Sequence, residues 1–235
     1  MGPGAYEQMT IKAVRVLESC DVIVGYTVYV DLLKEYFPEK TYLTTPMKQE
    51  IKRCEMAFEE AQTGKSVAMV CSGDAGIYGM AGLIYEIGEA YPDVEIEIIP
   101  GVTAAMGGGA VLGAPLGHDL AIISLSDLLT SWELIEKRLL KAAEADLVIC
   151  LYNPSSRKRS DYLKKACELM LTYKSAETVC GVVKNIAREG EEMHLYTLGD
   201  LKDVAVDMFS TVFIGNSQTK VLRGKMITPR GYRHE

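Results

Sequence analysis

Val70-Cys71-Ser72-Gly73-Asp74-Ala75-Gly76-Ile77-Tyr78-Gly79-Met80-Ala81-Gly82 decides how the chain reads. The valine-rich run Ser66 to Val70 precedes it and has the character of a buried strand. Gly82-Leu83-Ile84-Tyr85-Glu86-Ile87 follows and has the character of a helix. A strand ending in glycines and one carboxylate, then a helix, is the pattern of a ligand loop in α/β proteins. Glycine permits close backbone approach and positive φ. The carboxylate accepts hydrogen bonds. The spacing is neither Gly-x-Gly-x-x-Gly nor a P-loop, since no Gly-Lys-Ser/Thr follows. A tight βα turn packed with small residues accounts for the loop equally well.

Outward from this loop the chain alternates helix and strand. Met1-Gly2-Pro3-Gly4 opens abruptly, a turn with no strand before it. The pattern predicts helices at 7–20, 28–36, 48–63 and from 82 to about 91, with strands at 21–25, 41–44, 66–70 and 94–99. Alternation in Val94 to Ile99 predicts one covered and one wetter face. Pro100-Gly101-Val102-Thr103-Ala104-Ala105 is a second loop of small residues, leading into a helix that runs to about Leu112. Gly107-Gly108-Gly109 weakens that helix unless something packs closely there. Gly113-Ala114-Pro115-Leu116-Gly117 is the candidate boundary, giving α/β domains at 1–115 and 116–235 with the ligand loops facing a cleft between them. The second half has more strand: 120–125, 146–151, 178–183, 193–197, 211–214 and 225–227, with helices at 132–145 and 162–173.

The 235 residues are 48% hydrophobic and 24% charged, an ordinary globular composition. A net charge of −7 argues against general nucleic-acid binding. No apolar run is long enough to span a membrane, and no signal peptide is visible. Cys20, Cys54, Cys71, Cys150, Cys167 and Cys180 form no Cys-x-x-Cys pair. They read as free thiols in a reducing cytoplasm, and no metal site is expected.

Four separated motifs, in order, resemble the tetrapyrrole (corrin/porphyrin) methyltransferases that use S-adenosylmethionine: Gly2-Pro3-Gly4, Ser72 to Gly79, Pro100 to Ala105, and Tyr152-Asn153. The resemblance narrows to the precorrin-3B C-17 methyltransferase branch, with its anaerobic counterpart acting on cobalt-factor III. It does so through Gly113 to Leu116 with His118-Asp119, Ile123 to Thr130, Tyr152 to Arg157, Gly215-Asn216-Ser217 and Met226 to Tyr232. It implies a homodimer of two-domain α/β chains that methylates C-17 of a corrin precursor and contracts the ring, in cobalamin synthesis. Family members begin with a strand leading into Gly-x-Gly-Pro-Gly, whereas this sequence starts inside that motif. They often carry proline where Ala75 stands.

Carried over by motif, the cofactor contacts are Pro3, Ser72, Gly73, Asp74, Ile77, Thr103, Ala104 and Asn153, with Thr228-Pro229 closing the pocket. Ring contraction moves protons, so an acid–base group is expected. The candidates are His118, because imidazole is the side-chain type suited to proton transfer near neutral pH though this one could equally be a hinge residue, and Asp127, which could equally be a helix cap. The substrate's carboxylates call for cations at Arg157, Lys184 and Arg230. Alternatives are methylation of another corrin carbon or of uroporphyrinogen, and a catalytically silent cofactor or tetrapyrrole binder.

Overall fold

The computed structural model describes residues 1–156 and 159–232. The chain forms two compact units, Met1–Thr103 and Ala104–Glu235. In the first, a short 3-10 turn (Tyr6–Gln8) leads into α1 (Ile11–Ser19), β1 (Val22–Tyr26), α2 (Thr27–Lys34), β2 (Thr41–Thr45), α3 (Glu50–Gln62), β3 (Val67–Val70) and α4 (Ala81–Gly88). The second runs α5 (Ala104–Leu112), β4 (Gly113–Ala114), β5 (Leu120–Ser124), α6 (Trp132–Glu144), β6 (Val148–Tyr152), α7 (Tyr162–Met170), β7 (Val179–Lys184) and β8 (Glu192–Thr197). It ends with α8 (Leu198–Leu201), β9 (Ser210–Ile214), β10 (Lys220–Leu222) and β11 (Lys225–Ile227).

The first unit's sheet is wholly parallel, in the order β2-β1-β3. Its strand β1 is buried on both faces, as its unbroken Val-Ile-Val run requires. One face is covered by Leu17, Val30, Leu33 and Phe37; on the other, Val22 and Val24 pack with Ala57 of α3, beside partly buried Leu43 and Met69 of the neighbouring strands. Thr10 starts α1 by accepting the Ala13 N–H on its hydroxyl, a side-chain N-cap.

The second unit holds a five-stranded mixed sheet, β5-β6-β9-β7-β8, and a small sheet β10-β11-β4. Strands β5 and β6 are parallel, and the pairs from β6 through β9 and β7 to β8 are antiparallel. One face carries α6 and α7 through Ile135, Leu139, Ala166 and Met170. The other carries α5 through Ala105 and Leu112, against Phe213 and Ile186. Each fully buried leucine or isoleucine contributes about 1.5–3 kcal/mol.

One feature departs from the sequence reading. The segment Val94–Ile99 is not a strand, although its alternation predicts one: among the described residues it has no strand partner. A strand exists only through its neighbour's hydrogen bonds, which alternation cannot supply. The two compact units meet at Thr103 and Ala104. The glycine run of α5 packs closely within the second. A Cβ on Gly108 would stand 2.9 Å from the Ile186 and Phe213 side chains, so the helix packs too closely on β9 to belong elsewhere.

Candidate active site

In the first unit the loop after β3 is fixed by its own carboxylate. Asp74 Oδ1 accepts the Gly76 N–H at 2.8 Å, and Oδ2 accepts the Gly101 N–H at 2.9 Å. One side chain thus ties the Ser72-to-Gly79 loop to the Pro100-to-Ala105 loop. Both crossings need glycine. A Cβ on Gly101 would fall 2.2 Å from the Gly73 carbonyl oxygen, and Gly73 itself has φ 72°. Gly2 and Gly73 exchange both backbone hydrogen bonds, at 3.1 and 2.8 Å, which brings Gly2-Pro3-Gly4 onto the same loop. Gly73, Asp74 and the Pro3 segment are therefore brought together. Ser72 is half-buried, Ile77 is exposed at the tip of the loop, and Thr103 is buried just past Gly101.

Sequence reasoning missed Arg53. It is 3% exposed and sits on α3 near the carboxyl end of the sheet. Its guanidinium donates to Thr45 Oγ1 at 2.9 Å, to the Pro46 carbonyl at 3.1 Å and to Met80 Sδ at 3.3 Å, and lies 5.8 Å from the Tyr26 ring. The helical spacing of α3 marks this position as inward-facing. A charge there is the signal that could have found it.

In the second unit Ala104 opens α5, and the Ala105 N–H donates to the Tyr152 hydroxyl at 2.6 Å. This fixes the start of α5 against the end of β6. Asn153 follows at φ 52°, a conformation asparagine tolerates better than most residues. Its side-chain amide donates to Ser124 Oγ at 2.9 Å. Asp127 lies in the adjoining loop, half-buried. It accepts from the Tyr162 hydroxyl at 2.7 Å and pairs with Arg159 at 3.3 Å. Arg159 also donates to Ser126 Oγ at 2.5 Å. The Tyr162 hydroxyl, with Arg159 behind it, holds the Asp127 carboxyl below the usual carboxylate range.

His118 is exposed, beside exposed Asp119. Its loop is anchored to the C-terminal segment: the Thr228 N–H donates to the Ala114 carbonyl at 3.0 Å, and a Cβ on Gly117 would lie 2.3 Å from the Thr228 carbonyl oxygen. Thr228 is buried and shares a hydroxyl hydrogen bond with Thr219 at 2.8 Å; Pro229 is half-buried. Arg230 is exposed. Lys184 ends β7 and pairs with Asp207 at 2.9 Å, which raises the ammonium's pKa. Arg157 lies outside the described residues. Among the described residues there is no cluster of histidine, cysteine and carboxylates able to hold a metal, and no helix is long and apolar enough to cross a membrane.

These loops, on these two α/β units, define a tetrapyrrole-methylating scaffold. The chain belongs to that family: the profile described as Tetrapyrrole (Corrin/Porphyrin) Methylases matches residues 1–202. Among its relatives, a Salmonella typhimurium protein named probable cobalt-factor III C(17)-methyltransferase is 50% identical over 99% of this chain and 97% of its own length. A Methanocaldococcus jannaschii protein of the same name is 43% identical over 99% and 95%. The crystal structure of the methyltransferase CobJ superposes with a TM-score of 0.90 at 33% identity, covering 97% of this chain and 96% of that one. A Thermus thermophilus uroporphyrin-III C-methyl transferase complexed with S-adenosylhomocysteine shares the fold, with a TM-score of 0.73 at 20% identity over 91% and 94%.

Proposed function

We propose that this protein transfers a methyl group from S-adenosylmethionine to C-17 of a precorrin-3B or cobalt-factor III macrocycle and contracts the ring, a step of cobalamin synthesis. The observation that carries the reading is 50% identity, across nearly the whole of both chains, to a relative named for that reaction. The site geometry supports it. Gly101 packs its backbone directly on the Gly73 carbonyl, and the Asp74 carboxylate locks the two loops together beside it. Fixed glycine loops of this kind let backbone groups approach a cofactor closely. When bound, S-adenosylmethionine supplies an electrophilic sulfonium methyl.

The chain's contribution is then positional. Attack by a ring carbon on a methyl group needs alignment more than proton transfer, and fixed loops provide it. Asp74 fixes the loops of the first unit and the Tyr152–Ala105 bond fixes the start of α5 in the second; our proposed cofactor contacts are Pro3, Ser72, Gly73, Asp74, Ile77 and Thr103 from the first and Ala104, Asn153, Thr228 and Pro229 from the second. Contraction requires a proton carrier. Asp127, kept ionised by Tyr162 and Arg159, is an acceptor at neutral pH and holds Arg159 in place. His118 is our candidate donor, because its imidazole is exposed in the loop anchored to the Thr228 segment. Arg230, Arg157 and Lys184 are assigned to the substrate carboxylates. The homodimer and the cytoplasmic setting implied by the family resemblance belong to the same reading.

Calorimetry with S-adenosylhomocysteine, followed by turnover on cobalt-factor III and on precorrin-3B, tests the proposal. Binding together with release of S-adenosylhomocysteine and a product heavier by one methyl group supports it. Binding without turnover on either tetrapyrrole makes the protein a silent binder, and absence of binding overturns the cofactor assignment.

A further inference from the structure

In the second unit β5 and β6 run parallel, so both deliver the loops that follow them to one edge of the sheet. The loop after β5 is held there from the loop after β6. The Leu125 N–H donates to the Tyr152 carbonyl at 2.9 Å. Ser124 Oγ accepts the Asn153 amide at 2.9 Å and the Ser126 N–H at 3.2 Å. Arg159 reaches across to Ser126 Oγ and to the Asp127 carboxylate, at 2.5 and 3.3 Å, while its Nε donates to Ser156 Oγ at 3.0 Å. The Tyr162 hydroxyl holds the other Asp127 oxygen at 2.7 Å, and its ring centre lies 4.5 Å from that of Trp132. Ser131 anchors the far side of the loop as the N-cap of α6. Leu128, Leu129 and Thr130 are the tip between these two anchors.

This tip is apolar where it is most exposed. Leu128 is 68% exposed and Leu129 99%. Each leucine left in water forgoes about 1.5–3 kcal/mol of burial. A loose loop can turn such side chains inward, but this one is tied at both bases. The leucines also follow directly on Asp127, the carboxylate proposed above to accept a proton during contraction. A proton acceptor has to come within hydrogen-bond reach of the molecule it serves. The two residues next to Asp127 therefore border that molecule.

We infer that Leu128 and Leu129 are specificity-determining residues, an apolar platform for the flat face of the tetrapyrrole macrocycle, and that Arg159 is the positioning residue that holds this platform beside Asp127. The inference rests on the proposed function and adds which part of the substrate the loop reads: the ring face, and not the carboxylates around it. A ring face in water and a leucine pair in water both gain when each covers the other. The platform is continuous with the proposed cofactor contact Asn153 through Ser124. A second copy of the chain is the poorer occupant. A stable protein interface takes about 800 Å² from each partner, and the residues flanking the pair, Ser126, Asp127, Thr130 and Ser131, are polar.

Both leucines are exposed, so replacing them leaves the core intact. The test measures binding of cobalt-factor III by absorbance titration, binding of S-adenosylhomocysteine by calorimetry, and Tm. Leu128→Ser with Leu129→Ser is expected to weaken tetrapyrrole binding roughly tenfold or more. It should leave S-adenosylhomocysteine affinity within about twofold and Tm within about 2 °C. Leu128→Met with Leu129→Met, still apolar, should bind the tetrapyrrole nearly as wild type does. Arg159→Gln should weaken tetrapyrrole binding severalfold in wild type but hardly at all in the serine pair, where no platform remains to be positioned. Equal losses on the two backgrounds would remove the role given to Arg159. Unchanged tetrapyrrole affinity in the serine pair would overturn the inference and leave the proposed function standing. A loss that follows dissociation of the protein in sedimentation would assign the leucines to a second copy and overturn it too. A wild-type protein that binds no tetrapyrrole would overturn the proposed function, and this inference with it.

Discussion

The Asp74 carboxylate accepts the Gly101 N–H at 2.9 Å across 27 positions of sequence, while its other oxygen closes the turn to Gly76. Two loops that each follow an apolar run are thereby held as one surface. Replacing Asp74 with alanine strips both N–H groups of their acceptor, at a cost of about 1–3 kcal/mol if they stay shielded. Asp74→Ala is expected to weaken S-adenosylhomocysteine binding at least tenfold by calorimetry. Asp74→Asn, which keeps one acceptor oxygen, should fall between the two.

Gly101→Ala tests the close approach itself. Its Cβ would meet the Gly73 carbonyl oxygen at 2.2 Å, so the loops must part. Binding of S-adenosylhomocysteine should drop at least tenfold. Gly82→Ala is the matched control: nothing lies within 4 Å of its Cβ and it sits inside α4, so it should leave binding unchanged and stabilise by about 0.5–1 kcal/mol.

Asp127 contributes with a defined pH sign. Its folded pKa is lowered, chiefly by the Tyr162 hydroxyl, so its stabilisation is present above the unfolded carboxylate range and is lost as pH falls through the lowered folded value. Denaturation of wild type and Asp127→Asn from pH 6 down to pH 2 should therefore converge at the acid end. At neutral pH, Tyr162→Phe is expected to raise the Asp127 pKa, seen by NMR titration, without unfolding the loop.

His118→Asn separates proton transfer from methyl transfer. We expect S-adenosylhomocysteine affinity within twofold of wild type and turnover reduced at least tenfold, with the loss concentrated in the contracted product. Full activity in this variant would remove His118 from the mechanism.

Lys174 is a structural charge whose loss should be felt in stability alone. Its ammonium is buried and donates to the Leu147 and Gly215 carbonyls at 3.0 Å and to half-exposed Asp146 at 3.3 Å. Burial lowers its pKa despite that partner. Lys174→Met takes the donor from the buried Gly215 carbonyl and the part-buried Leu147 carbonyl and should cost about 1–3 kcal/mol by urea denaturation, with catalytic constants unchanged.

Much of the architecture was legible before any coordinates. Every predicted strand except 94–99 is present within a residue or two, because apolar runs such as Val22–Tyr26 and Val148–Tyr152 are buried on both faces and leave no other placement. The glycine run in α5 was read as a site of close approach, and Ile186 and Phe213 provide it. The failure at Val94–Ile99 has a definite cause: alternation reports which side chains want cover, not whether a neighbour offers its hydrogen bonds.

The site divides in the same way. The turns at Gly73, Asp74 and Asn153 were legible because glycine, a lone carboxylate and an asparagine after a strand are local signals of a turn. Arg53 was not, since a charge on an amphipathic helix reads as solvated until the structure shows it 3% exposed and aimed at Thr45.

Sequence alone determined the alternation of helix and strand, the two glycine loops and the family, because each is written in residues near one another or in ordered motifs. Only the tertiary structure decided that Asp74 reaches Gly101, that Asp127 is held by Tyr162 and Arg159, and that α5 packs in the second unit. Those are facts of distance between residues far apart in the chain. Hydrogen bonds and charges are short-ranged, so they come into being only when folding has closed that distance.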